Sequence, residues 1–325
     1  MLSEFQLIAR YFKRSPRAGG PVQLGVGDDC ALLQPPNGEL LAVSTDMLIE
    51  GRHFFAGTNP YDLGHKALAV NLSDLAAMAA QPISFTLALA LPASDPQWLQ
   101  AFSEGLFHLA DAQGIELMGG DTTRGPLTIS ITVIGSVPNT KALKRSGAQA
   151  GDELWVSGTL GDARLALEVL QNKRTLAPDL LTKASERLHR PVPRLALGLA
   201  LRGIASAAID VSDGLLGDLG HLLNQSSLSA TLLADDLPFG EALGSQTIDT
   251  RYELALNGGD DYELIFSSAP DQHQAVIDAG HRSQTQVTCI GRLSKGSGIH
   301  VQDQQGNLIS ATNHSFDHFT ENSTT

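Results

Sequence analysis

The aspartates of this 325-residue chain recur singly or in pairs beside glycine, serine or threonine: GDD at 27–29, STD at 44–46, NLSD at 71–74, GGDTT at 119–123, DVSDG at 210–214 and GGDDYE at 258–263. Any one of these words is an ordinary turn or helix cap. Their recurrence along the whole chain differs from a solvated acidic face, which sets Glu and Lys at helical spacing. Small neighbours let carbonyls and hydroxyls approach the same point as the carboxylate. An oxygen-only donor set of that kind suits a hard cation such as Mg²⁺. The stretch GVGDDCALL (25–33) poses the question most sharply, because adjacent Asp28 and Asp29 repel each other unless a cation or solvent relieves them. Asn71 and Asp74 stand three apart, so in a helix both would face one side. The expectation is a shared metal–phosphate centre.

Other chemistries lack their residues. There is no GxxxxGK[ST], so no P-loop, and GVGDDC begins like a dinucleotide fingerprint but puts Cys30 where the third glycine belongs. Neither HExxH nor GxSxG occurs, which leaves zinc proteolysis and serine hydrolysis unsupported. A formal net charge of −13 repels nucleic acid. The two cysteines, Cys30 and Cys289, form no CxxC pair and fit a reducing cytoplasm, with Cys30 expected as a small core residue. The opening MLSEFQLIARYFKR reads as an amphipathic helix with Ser3 as N-cap and not as an export signal. FTLALALP (85–92) is too short to span a bilayer.

The elements that must position the acids alternate. VQLGV and CALL are strand-like runs flanking the double aspartate, and ELLAVSTD (39–46) is another strand. Residues 61–80 read as an Ala- and Leu-rich helix, broken near Ser73. ISFTLALAL is a strand, 95–114 a helix closed by glycine, and 127–138 a strand with a proline stop. The acids themselves are expected at strand ends and turns. The polar, glycine-containing stretch 139–158 marks a boundary between a domain 1–140 and a domain 141–325. The second part reads as helices over 160–202, a strand at 207–212, a helix from about 214, and strands near 261–267 and 286–293. AVNLSD (69–74) and GGDT (119–122) echo AIDVSD (208–213) and GGDD (258–261) at one common offset, a candidate internal duplication.

Seven stretches together (GVGDDCALL, STDMLIEGRHF, KALAVNLSDLAAMAA, GGDTTRGPL, RSGAQAGDELWVSGTLGD, AIDVSDGLLGDL and NGGDDYEL) resemble the thiamine-monophosphate kinase family of the aminoimidazole-ribonucleotide-synthetase-like, or PurM-like, superfamily. The resemblance runs in order from about residue 4 to FDHF (316–319). It implies a two-domain α/β fold with mixed sheets and a homodimer whose N-terminal sheets join into a barrel. It implies ATP-dependent phosphorylation of thiamine phosphate to thiamine diphosphate with several Mg²⁺ ions. The implied metal ligands are Asp29, Ser44, Thr45, Asp46, Asp74, Asp121, Asp210 and Asp213. ATP would meet Gly120, Asp121, Arg145 and Ser212, and thiamine phosphate would meet His53, Asp260 and Phe316. Asp260 stands where the family commonly has glutamate, and Phe316 where it commonly has Tyr or Trp. Without the resemblance, His53 and Arg145 would read as ordinary surface residues. The alternatives are a Mg²⁺-dependent phosphohydrolase or another PurM-like ATP-using enzyme. No motif places a general base beside a nucleophile. A phosphate acceptor needs none, since its second pKa of about 6 leaves the attacking oxygen largely deprotonated near neutral pH.

Overall fold

The structure is a computed structural model that describes residues 4–27 and 29–309, so the Ser3 cap and Phe316 lie outside the described residues. The fold is mixed α/β. The described chain separates into two compact units, one of residues 4–75 and 80–140 and the other of 76–79 and 141–309. Among the described residues no helix is long and apolar enough to cross a membrane.

The first unit contains, in chain order, α1 (Glu4–Tyr11), β1 (Val22–Leu24), β2 (Leu32–Leu33), β3 (Glu39–Ile49), α2 (Pro60–Ala77), β4 (Gln81–Leu91), α3 (Pro96–Gln113), β5 (Glu116–Arg124) and β6 (Thr128–Pro138). Its sheet runs β3-β6-β4-β5, antiparallel except for the parallel β4–β5 pair that α3 connects. Asp95 starts α3 by accepting the backbone N–H groups of Gln97 (2.9 Å) and Trp98 (3.4 Å), and Gly114 ends it at φ 70°. Where α2 and α3 meet, a Cβ on Gly64 would lie 2.1 Å from the Phe102 carbonyl oxygen, so only glycine permits the approach. Strand alternation sends Ile129, Ile131 and Val133 of β6 into the core with Phe85, Leu89 and Phe102.

Three expectations change here. α2 is unbroken at Ser73, because the buried Leu68, Leu72 and Leu75 on either side keep it packed. GGDTT lies within β5 and not in a turn; its two glycines hid the strand from propensity. Cys30 is exposed, not core. Of the two phenylalanines after His53, Phe54 is buried and Phe55 exposed.

The second unit contains β7 (Glu153–Ser157), α4 (Asp162–Leu170), α5 (Pro178–His189), α6 (Leu195–Ala200), β8 (Ala205–Asp210), α7 (Leu215–Ser226), β9 (Leu228–Leu233), α8 (Glu241–Gly244), α9 (Ile248–Asn257), β10 (Leu264–Ser268), α10 (His273–Arg282), β11 (Val287–Lys295) and β12 (Gly298–Gln302). Its sheet order is β12-β9-β11-β7-β10-β8, with only β12–β9 parallel. Leu154, Val156, Ile209 and Ile265 project from one face into a core with Leu165 of α4 and Leu219 of α7. The sequence echo is not a structural repeat: its first copies lie in α2 and β5, while the second copies lie at the end of β8 and in the loop before β10.

Candidate active site

In the first unit, β3 alternation turns Ser44, Asp46 and buried Leu48 to the face that α2 covers. The Ser44 hydroxyl donates to Asp74 Oδ2 at 2.5 Å, and the Asp46 backbone N–H donates to Asn71 Oδ1 at 3.0 Å. Asn71 is wholly buried and donates from its amide nitrogen to the Ala67 carbonyl (3.0 Å), so its side chain is fixed at both ends. The i, i+3 pair on α2 thus meets two same-face positions of β3. Ser44 and Asp74 come together, with Asp46 two residues along the same face of β3, while Asn71 holds the helix to the strand.

Other predicted ligands of this unit stand apart. The Thr45 hydroxyl lies on the opposite face, 2.7 Å from that of its cross-strand partner Thr132. Asp121 occupies the far edge strand β5, on a transverse row with Ala88, Ser130 and Met47. It is three strand spacings from β3, roughly 14 Å. Beside it Gly120 has φ 150°, and a Cβ there would lie 1.9 Å from the Leu87 carbonyl oxygen, so glycine is required for β5 to approach β4. Asp29 is exposed on the turn joining the antiparallel β1–β2 pair. Lys13, which sequence reasoning passed over, brings its Nζ to 2.9 Å from the place a Cβ on Gly27 would take. An ammonium group beside an acidic turn has no signature in local spacing. His53 Nδ1 accepts the Ile49 N–H at 3.0 Å, which orients the ring just past β3.

In the second unit the DVSDG and GGDDYE words are laced together. Val211 N–H donates to the Glu263 carbonyl (2.8 Å), Tyr262 N–H to that of Val211 (2.8 Å), and Asp260 N–H to that of Ser212 (2.9 Å). These bonds extend the β8–β10 ladder past the buried Asp210. Asp260 (φ 69°) and Tyr262 (φ 50°) take left-handed backbone, a strain that the lacing sustains. Asp218, buried in the first turn of α7, accepts the N–H groups of Ser212 and Asp213, both at 3.0 Å and both on Oδ2. Burial pushes its pKa up to about 7. The Asp213 carboxylate adds to that, while the two N–H bonds and the positive Arg145 oppose it. The Arg145 carbonyl accepts from Ser226 at the C-terminal end of α7 (3.0 Å).

The remaining acids of GGDDYE turn inward. Asp261 is fully buried, accepts the Gly161 N–H (2.9 and 3.1 Å), and is held by burial above the usual carboxylate range. Glu263 accepts from Ser157 (2.6 Å), Arg187 (2.7 Å) and both Nε and Nη2 of Arg194 (2.6 Å each). Both residues anchor the loop. Their spacing of two was the signal that they share a side, but nothing local foretold the arginines.

Among the described residues no three His, Cys, Asp or Glu side chains form a metal-holding group. Mg²⁺ needs none, since it keeps waters and binds through one or two carboxylates plus substrate phosphate oxygens. The Asp46–Asp74–Ser44 set, all oxygen, fits that ion.

Comparison with known proteins bears on the whole chain. The AIR synthase related protein N-terminal domain family matches residues 27–137, and its C-terminal domain counterpart matches 149–304. The chain is 47% identical over 294 residues to the thiamine-monophosphate kinase of Salmonella typhimurium, covering 90% of each. Its fold matches the crystal structure of the thiamine-monophosphate kinase from Stenotrophomonas maltophilia K279a with a TM-score of 0.83 at 47% identity, covering 92% of this chain and 95% of that one. It also matches AaThiL complexed with AMPPCP and TMP, with a TM-score of 0.74 at 29% identity, covering 88% and 89%.

Proposed function

Because the chain belongs to the AIR synthase related family, and within it to the thiamine-monophosphate kinases, we infer that it phosphorylates thiamine phosphate to thiamine diphosphate with ATP as co-substrate. The observation that carries this reading to the residues is the Ser44–Asp74 hydrogen bond, with Asp46 on the same face of β3 and its backbone held by Asn71. Two carboxylates and a hydroxyl, with no thiol or imidazole, make a site for a phosphate-bound hard cation.

The proposed ligands of several Mg²⁺ ions are Asp29, Ser44, Thr45, Asp46, Asp74 and Asp121 from the first unit and Asp210 and Asp213 from the second. Bound there, Mg²⁺ would neutralise phosphate charge as it develops in the transition state. Gly120 and Asp121 would bear on ATP, with Ser212 and the Arg145 guanidinium, whose donors match phosphate oxygens. His53, Asp260 and Phe316 would hold thiamine phosphate. No protein base is required, because the acceptor phosphate is already largely deprotonated; transfer is direct and in line, without a phosphoenzyme. We place the enzyme in the cytoplasm, as a homodimer joined through the first unit's sheet. Leu41, Val43, Met47 and Ile49 support the dimer: they line one face of edge strand β3 at 43, 61, 53 and 39% exposure.

Incubation with ATP, MgCl₂ and thiamine phosphate is expected to yield thiamine diphosphate and ADP, and excess EDTA to abolish the reaction. Asp74→Asn is expected to lose at least ~100-fold in rate, about 2.7 kcal/mol, with its fold retained. Free phosphate as the only product would favour the hydrolase reading. Labelled protein after mixing with ATP alone would defeat direct transfer.

A further inference from the structure

Asp218 is a buried carboxylate for which the phosphoryl transfer above has no use, and its position is an expensive one. At 4% exposure, an apolar side chain would occupy this first turn of α7 at lower cost. What the carboxylate does instead is geometric. The helix starts after Gly214, which has φ 115° and no side-chain cap. Asp218 folds back past that cap and takes two N–H groups from the residues before it, Ser212 and Asp213, on one oxygen. Two successive N–H groups drawn to a single point fix both peptide planes. The Ser212 and Asp213 side chains then project from a loop held from beneath by Asp218 and from the side by the Ser212 carbonyl's bond to Asp260.

We propose that Asp218 is a positioning residue for nucleotide and metal binding: through its Oδ2 it sets the Ser212–Asp213 loop in the conformation that receives ATP and Mg²⁺. The proposal rests on the assignment of Ser212 to ATP and Asp213 to metal. It has a specific consequence. Since both bonds end on one oxygen, an amide oxygen in the same place serves as well, and the negative charge is dispensable. An apolar replacement leaves the loop unheld.

The test compares Asp218→Ala and Asp218→Asn in the full-length enzyme, with Ser212→Ala and Asp213→Asn as loop controls. Asp218→Ala is expected to raise the KM for ATP and the half-saturating Mg²⁺ concentration by roughly tenfold or more, the scale of lost buried hydrogen bonds, with the KM for thiamine phosphate nearly unchanged. Asp218→Asn is expected to recover most of that loss. An Asn variant as impaired as Ala would overturn the positioning role, since charge would then be the requirement. Wild-type kinetics in Asp218→Ala beside defective loop controls would overturn it alone. Inert loop controls would instead remove the assignment of the loop itself, and the proposal with it. Amide exchange needs no Ala variant: the Ser212 and Asp213 N–H groups are expected to be slow in the wild type and in Asp218→Asn, and exchange at free-loop rates would defeat the proposal.

Discussion

Asp162 begins α4 with its Oδ1 accepting the Leu243 N–H at 2.7 Å, so close to Gly240 that a Cβ there would lie 2.1 Å from the carboxyl carbon. Burial raises its pKa above the ordinary carboxylate value, against the pull of that hydrogen bond, a second backbone bond and Arg187. The folded state therefore holds a proton that the unfolded chain releases. The stabilising contribution is complete below the unfolded value of about 4 and is lost as pH rises through the raised folded value. Asp162→Asn keeps an oxygen for Leu243 and removes the titration. Its stability, read from urea midpoints between pH 4 and 8, is expected to fall less with pH than the wild type's and to exceed it at pH 8. Parallel pH profiles for the two proteins would show that Asp162 does not titrate in that window. The sequence could not separate this acid from Asp46 or Asp74. All three sit beside small residues, and only long-range partners decide which are buried anchors and which line the α2-covered face of β3.

Gly120 shows how an element can carry a proposed site residue while concealing itself. Strand β5 holds Asp121, yet GGDTT reads as a turn because two glycines weaken strand propensity. The glycine is there for the backbone: with φ 150° and a hypothetical Cβ 1.9 Å from the Leu87 carbonyl, Gly120→Ala must push β5 away from β4. A flexible side chain could yield, but a ladder carbonyl cannot. The variant is expected to lose at least about 3 kcal/mol of stability and most of its turnover, with the ATP KM raised because Asp121 moves with the strand. A Gly120→Ala enzyme with an unchanged melting temperature would mean that β5 does not approach β4 so closely. Where the pattern was strong, as in the Asp95–Gly114 bracket of α3, the element was legible to within a residue. Ser73 misled for the converse reason. Hydroxyls weaken an isolated helix, but packing of Leu68, Leu72 and Leu75 outweighs that local preference.

At the scale of the molecule, apolar side chains and net charge pull in opposite directions. ELLAVSTDMLI sets Leu41, Val43, Met47 and Ile49 on one face and Ser44 and Asp46 among the other face's residues. Within the first unit only one face is covered, and Leu41, Val43, Met47 and Ile49 stay exposed at an edge. Local pattern could foretell that this face needs cover but not what supplies it. Two chains of net charge −13 repel each other, so the proposed dimer must draw on buried apolar area. Its electrostatic penalty falls with ionic strength, since the screening length shrinks from about 30 Å at 0.01 M to about 8 Å at 0.15 M salt. Light scattering is therefore expected to give twice the 34.4 kDa chain mass at 0.15 M salt, with the dimer weakening as salt is lowered. The double change Val43→Glu and Met47→Glu adds charge to both chains at the seam and is expected to yield monomers that keep the wild-type circular dichroism. A wild-type chain that stays monomeric at micromolar concentration, or a double variant that still dimerises, would move the interface off β3.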